Sequence, residues 1–372
     1  MPLFNVYPLY DVTPVSAKGV YVYDENETEY LDLYGGHAVI SIGHAHPKYV
    51  EAISTQVSKL GFYSNAIQNP LQKELADKIE TLSACKNYEL FLCNSGAEAN
   101  ENALKLASFK TGKSRVIAFK NGFHGRTSAA VAATDNKNII APINAQQKVT
   151  ILDLNDIESV KTELEKGDVC AVIIEFIQGV GGLDEATKEF YEEVDVLCKA
   201  NNTFLIADEV QSGYGRSGKF FAFQHYNVTP EIISIAKGMG NGFPIGGILI
   251  HPEIKAKFGM LGTTFGGNHL ACAAALSVLK VIEEQNLIDN VNAMSKYFVK
   301  IGGRRIRGNS VIEAISCGTL VLMDPKDVRH HELIPPECQV KSIEEVEKLL
   351  LKLDKDEELY QKLLKKERAL VD

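Results

Sequence analysis

Three clusters in this 372-residue chain combine side-chain types and spacings that chemistry can use. Lys237 ends the mostly apolar run Ile232-Ile-Ser-Ile-Ala236 and opens the glycine-rich stretch to Gly247. A lysine so placed loses solvent, its pKa falls, and its nitrogen becomes available as a Schiff-base nucleophile. Asp208 directly follows a second apolar run, Thr203-Phe-Leu-Ile-Ala207. A carboxylate behind a buried strand is costly unless a cation or hydrogen-bond donors meet it. A helix cap, a metal site or a cationic ligand would each serve, and no histidine adjoins Asp208 to favour the metal. The third cluster, Asn94-Ser-Gly-Ala-Glu-Ala-Asn100, follows Glu89-Leu-Phe-Leu-Cys93 and leads into a helical pattern. Gly96 permits a tight turn, and the small residues leave free N–H groups at a helix N-terminus, where phosphate binds.

A phosphate cradle, an acid behind one strand and a lysine behind a later one are the three handles of pyridoxal 5′-phosphate. The acid keeps the ring nitrogen protonated, so that the ring draws electrons, while the lysine holds the aldehyde carbon. Gly122-Phe-His-Gly-Arg126 adds an aromatic face for the ring, and Thr263-Thr-Phe-Gly-Gly-Asn268 adds hydroxyls for a phosphate.

Such residues need a scaffold that delivers them to one edge. Strand-like runs at 89–93, 115–119, 169–174, 203–207 and 232–236 alternate with helical segments near 97–109, 156–166 and 187–200. Three of those runs are almost wholly apolar, as in parallel strands covered on both faces. The pattern predicts an α/β fold with a doubly wound, mostly parallel sheet, whose ligands sit beyond the strands' carboxyl ends. Ahead of it, Gly19–Asp24 and Tyr30–Leu33 read as a hairpin turning at Asn26, followed by a glycine-rich loop and a helix from Pro47. Residues 270–300 read as helical. Near the end, Val346, Leu349, Leu350 and Leu353 share a helical face behind a Ser342/Glu345 capping box.

Composition sets the outer bounds. Hydrophobic residues at 45% and charged residues at 23% are ordinary globular values, which excludes disorder, collagen and coiled coil. The net charge of −9 argues against nucleic acid, no apolar run is long enough to span a membrane, and Met1-Pro-Leu-Phe4 has no basic signal region. The seven scattered cysteines show no Cys/His metal-ligand spacing. They read as buried reduced thiols of a cytoplasmic protein.

On these motifs the sequence resembles the class-III pyridoxal-phosphate aminotransferases of fold type I, nearest the acetylornithine/succinylornithine branch of arginine biosynthesis. The carriers run in order over residues 4–307: YLDLYGGHAVISIGHAHP, NSGAEANENALKLA, FKNGFHGRT, IIEFIQGVGG, FLIADEVQSGYGRSG, IAKGMGNGFPIGG and GTTFGGNHLA. The resemblance implies Lys237 as the cofactor-bound lysine, Asp208 on the ring nitrogen and Gln211 near the ring oxygen. It implies Phe123 stacked on the ring, Gly96 and Ala97 at the phosphate, and Arg126 on a substrate carboxylate. Thr263 and Thr264 would reach into the site of a partner, giving a homodimer with a shared active site. An N-acylornithine would give its distal amino group to 2-oxoglutarate, forming glutamate. Ornithine or 4-aminobutyrate remain alternative donors, as does a non-catalytic chain that keeps the fold.

Implied domains are 1–45, an N-terminal segment of a small domain; 46–270, the large cofactor domain; and 271–372, atypical beyond about 307. Two departures stand out. Where the family usually has Glu-Pro-Ile-Gln-Gly-Glu, this chain has Glu175-Phe-Ile-Gln-Gly-Val180, which removes a carboxylate and points to a differently shaped acyl pocket. Beyond 307 the family's arginine-bearing segment has no counterpart. Instead Val311–Leu322 resembles the E-A-x-x-C-G-T end of group-1 glycosyltransferases, so a recombined tail and an impaired chimera that still binds cofactor enter as alternatives. Arg329, His330 and His331 read as solvated loop residues rather than ligands.

Overall fold

The computed structural model describes residues 1–295, 297–300, 320–323, 335–340, 343–353 and 355–371. It separates into two compact units, 1–288 and 289–372. The Glu313–Thr319 motif, Arg329, His330, His331 and Ser342 lie outside the described residues.

The first unit opens with an antiparallel sheet of β1 (Pro14–Lys18), β2 (Tyr21–Asp24) and β3 (Glu29–Leu31). The expected hairpin is its β2–β3 half. Asp24 Oδ1 accepts from the Asn26 and Thr28 amides at 2.9 and 2.8 Å, closing the turn there. The strand before it, β1, escapes sequence reading because Pro14-Val-Ser-Ala-Lys18 has no sustained apolar–polar alternation. A tight turn, α1 (Gly35–Ala38), precedes α2 (Pro47–Lys59) and α3 (Pro70–Ser83), both opening on proline, whose missing N–H has no helical partner in a first turn anyway.

The body alternates as expected: β4 (Glu89–Cys93), α4 (Gly96–Thr111), β5 (Arg115–Phe119), α5 (Ser128–Ala132), β6 (Val149–Leu152), α6 (Ile157–Leu164), β7 (Val169–Ile174), α7 (Lys188–Ala200), β8 (Phe204–Asp208), β9 (Ile232–Ile235), β10 (Gly246–Ile250) and α8 (His269–Glu284). The seven strands order as β4-β10-β9-β8-β7-β5-β6. Only β10 is antiparallel to its neighbours, so the sheet is doubly wound and mostly parallel. Every residue of β7 is buried, as its unbroken apolar run requires of a central strand.

Two strands, β6 and β10, were not legible as strands. The second hides in the glycine-rich stretch, and its glycines explain both facts. A Cβ on Gly246 would lie 2.6 Å from the Ser95 carbonyl oxygen, and one on Gly247 would lie 2.7 Å from that of Phe91. The backbones approach too closely for side chains, so the residues that let β10 insert are those that disguise it. Because β10 runs backwards, its amino end joins the carboxyl ends of β4 and β9, with Gly246 opposite Cys93 and Gly247 opposite Ile235.

Across the boundary at 288, the stretch 270–300 is not helical throughout. After the helix Leu287–Met294, Tyr297–Lys300 forms a strand paired in parallel with Leu320–Met323, as its aromatic and β-branched residues favour. The helix Ile343–Leu353 buries Val346 and Leu353, two of the four residues expected on its apolar face.

Candidate active site

The carboxyl edge of the large sheet carries a cavity of about 330 Å³. Its walls come from the loops after β4, β5, β7, β8 and β9 and from the segment entering β10, and include Gly96, Ala97, Phe123, Arg126, Asp208, Gln211 and Lys237. The fold thus gathers seven expected site residues from positions up to 141 apart in the chain. A larger groove beside α2, α3 and α8 contains none of them.

Asp208 is 3% exposed and ends β8. Its Oδ2 accepts from Asn100 Nδ2 and from His124 Nδ1, each at 2.7 Å, and its Oδ1 accepts from the Val210 amide at 3.1 Å. Asn100 also donates to the His124 carbonyl at 2.7 Å, so the three side chains lock one another. Burial opposes a proton on His124, but the Asp208 hydrogen bond and charge, with Glu175 behind, outweigh it and raise its pKa. Sequence reading missed His124 and Asn100, whose partner lies 84 and 108 residues away. The one local signal was a histidine in the Gly122–Gly125 loop that follows a buried strand.

Lys237 follows β9 with φ of 43°, in the left-handed region where a residue with a side chain is strained. Its ammonium has no hydrogen bond or ion pair among the described residues. Burial lowers its pKa; Asp208 and Glu175 pull the other way, and Arg216 adds to the lowering. An unpaired, partly desolvated amine therefore shares a cavity with a buried carboxylate.

At the third corner, Ser95 caps α4 by accepting the Glu98 amide at 3.2 Å. The first helical amides, Gly96 and Ala97, have no acceptor within the helix. Packing leaves no room for larger residues here: a Cβ on Gly96 would come 2.5 Å from Val210 Cγ1, and one on Gly125 2.8 Å from the Ala97 Cβ. Glu175 binds two of the loops together, accepting from the Phe123 amide at 2.8 Å and the Gly179 amide at 3.1 Å. Gln211 fills the space left by the missing side chain of Gly179, where a Cβ would fall 1.3 Å from its Oε1. Arg126 is exposed at the rim and makes no hydrogen bond or ion pair among the described residues, while Val180 adds an apolar wall.

These residues fit pyridoxal 5′-phosphate. An amine, a buried carboxylate held by three donors and a pair of free helical amides occupy one cavity, in the chemical roles that its aldehyde, ring nitrogen and phosphate demand. Thr263 and Thr264 do not line the cavity; Thr263 Oγ1 instead accepts from Asn94 Nδ2 at 3.3 Å. No group of three His, Cys, Asp or Glu side chains suited to a metal occurs among the described residues. No helix there is long and apolar enough to cross a membrane.

The family described as Aminotransferase class-III matches residues 5–337. The acetylornithine aminotransferase of Bacillus subtilis is 39% identical over 330 residues, covering 85% of this chain and 84% of that one. The acetylornithine/succinyldiaminopimelate aminotransferase of Yersinia pestis is 40% identical, covering 80% and 75%. Among solved structures, the ornithine aminotransferase of Toxoplasma gondii superposes with a TM-score of 0.71 at 29% identity, covering 77% and 71%.

Proposed function

The chain belongs to the class-III aminotransferases, which use pyridoxal 5′-phosphate, and we propose that it moves the distal amino group of an N-acylornithine to 2-oxoglutarate. The observation that carries the catalytic part is the shared cavity of the unpaired Lys237 amine and the clamped Asp208 carboxylate. The relatives named for acetylornithine support the donor, at 38–43% identity against 29–30% for the ornithine aminotransferase structures.

When bound, the cofactor supplies an electron-withdrawing ring and a carbon that accepts and returns the amino group. Asp208 would hold the proton on the ring nitrogen, and His124 and Asn100 hold Asp208 in place. Gly96 and Ala97 would donate their amides to the phosphate at the positive end of α4. Phe123 would cover the ring face, and Gln211 would lie at the ring oxygen. Lys237 Nζ would hold the cofactor through its aldehyde carbon. Freed, the same nitrogen takes a proton from the donor's carbon and delivers it across the site, acting as base and then acid; its lowered pKa suits both. Arg126 offers an unspent guanidinium to a substrate carboxylate, a geometry suited to bidentate binding. In the second half-reaction 2-oxoglutarate occupies the site, and the proton movements reverse.

We also infer a homodimer in which Thr263 and Thr264 serve the partner's site; their place outside this chain's own cavity supports it. Equilibrium sedimentation should give twice the 40.9 kDa chain mass. A cytoplasmic role in arginine biosynthesis accords with the buried thiols of Cys85, Cys93, Cys170, Cys198 and Cys272, none of them in a disulfide. Val180 favours a second reading, in which cofactor binds but one half-reaction is weak, because the cavity wall there is apolar where the family usually has a carboxylate.

A donor panel tests the main reading. With 2-oxoglutarate, glutamate should form fastest from N-acetylornithine or N-succinylornithine. Faster turnover of ornithine or 4-aminobutyrate would overturn the donor assignment, and half-reactions followed in single turnover separate the second reading.

A further inference from the structure

The segment Ala38–Gly43 is a strap that reaches the cavity at Val39, which forms part of its wall. It leaves a run of four left-handed residues, Gly35 to Ala38, with φ between 54° and 65°. Such a backbone persists only where its surroundings hold it. Asn241 supplies most of that hold. Its Oδ1 accepts from the Ser41 and Ile42 amides at 2.8 and 3.1 Å, and its Nδ2 donates to the Gly43 carbonyl at 2.9 Å. The side chain is 5% exposed, and its own φ is 46°, a conformation that asparagine tolerates better than most residues. Two ties flank it: Ser41 Oγ donates to the Gly238 carbonyl at 2.7 Å, and Arg216 Nη2 donates to that of Ala38 at 3.0 Å. Asn241 and Gly238 belong to the turn that begins at Lys237. The strap is therefore bracketed to the loop of the reactive amine by side chains that themselves stay outside the cavity.

We propose that Asn241 is a positioning residue, whose carboxamide fixes the Ala38–Gly43 strap against the Lys237 loop and so sets the wall against which the amine donor is held. This rests on the aminotransferase reading of the cavity, but not on which amine is the donor.

The test uses holoprotein carrying Asn241→Gly, which keeps the left-handed backbone available and removes all three bonds. In the amine half-reaction, followed by cofactor absorbance, donor KM should rise about tenfold while the limiting rate changes less than about threefold, matching the partial loss of neutral hydrogen bonds. Cofactor occupancy should be unchanged. Ser41→Ala, which leaves position 241 intact, should shift KM the same way by a smaller factor and keeps the test open if Asn241→Gly folds poorly. Hydrogen exchange at the Ser41 and Ile42 amides should quicken in Asn241→Gly whatever the activity. Unchanged exchange, or a fall in limiting rate with KM untouched, overturns the proposal. Wild-type protein that prefers a different amine overturns the N-acylornithine assignment alone, since the variant-to-wild-type ratio is then read with that amine.

Discussion

His124 Nδ1 lies 2.7 Å from Asp208 Oδ2, and each residue is only 3% exposed. The carboxylate at the end of β8 is thus aimed by an imidazole from the loop after β5 and an amide from α4. Replacing His124 with asparagine should lower kcat/KM by about 10- to 100-fold, the range for losing a hydrogen bond to a buried charged group. Steady-state kinetics check this, with Asn100→Ala expected to behave alike.

The same pair makes a pH-dependent contribution to stability. His124 has a raised pKa in the folded chain, so folding binds its proton more tightly. That stabilisation is complete below the unfolded value of about 6.5 and is lost as pH climbs through the higher folded value. Urea unfolding of wild type should therefore show a stability loss above about pH 6.5 that is smaller in His124→Asn.

Gly96→Ala tests the phosphate corner. The new Cβ would sit 2.5 Å from Val210 Cγ1, and a branched side chain on a packed loop yields little. We expect about 1–3 kcal/mol of lost stability and weaker cofactor binding in titration. Adding Val210→Ala should restore much of both.

Arg126 carries the substrate carboxylate in this account. Arg126→Ala should raise the KM of carboxylate-bearing substrates by about 10- to 100-fold with cofactor binding unchanged, and Arg126→Lys should recover only part because the two-pronged geometry is lost.

How much of this was legible in the sequence depended on distance along the chain. Lys237 and Asp208 could be found because each follows an apolar run, and a strand's end is where an α/β sheet presents its chemistry. Five strands and three helices of the body were legible for the same reason of periodicity. The Asp208 clamp was not, because its members meet only when α4 and the loop after β5 pack against the end of β8. Nor was β10, since Gly246 and Gly247 answer to the neighbouring Ser95 and Phe91 backbone rather than to any local pattern. The strap at the cavity wall was equally hidden: Asn241 reads as one more turn residue until its partners 198–200 positions away are in place.

The central claim is that Lys237 and Asp208 together hold and use pyridoxal 5′-phosphate, and the absorbance of the cofactor on Lys237→Ala addresses it most directly. Wild type should show the visible band of cofactor joined to a protein amine, and an amine donor should bleach it. Lys237→Ala should lack the joined form and give no turnover, while still releasing the cofactor easily on dialysis. A wild-type protein that binds no pyridoxal 5′-phosphate, or a Lys237→Ala protein that keeps both the band and the activity, would contradict the account.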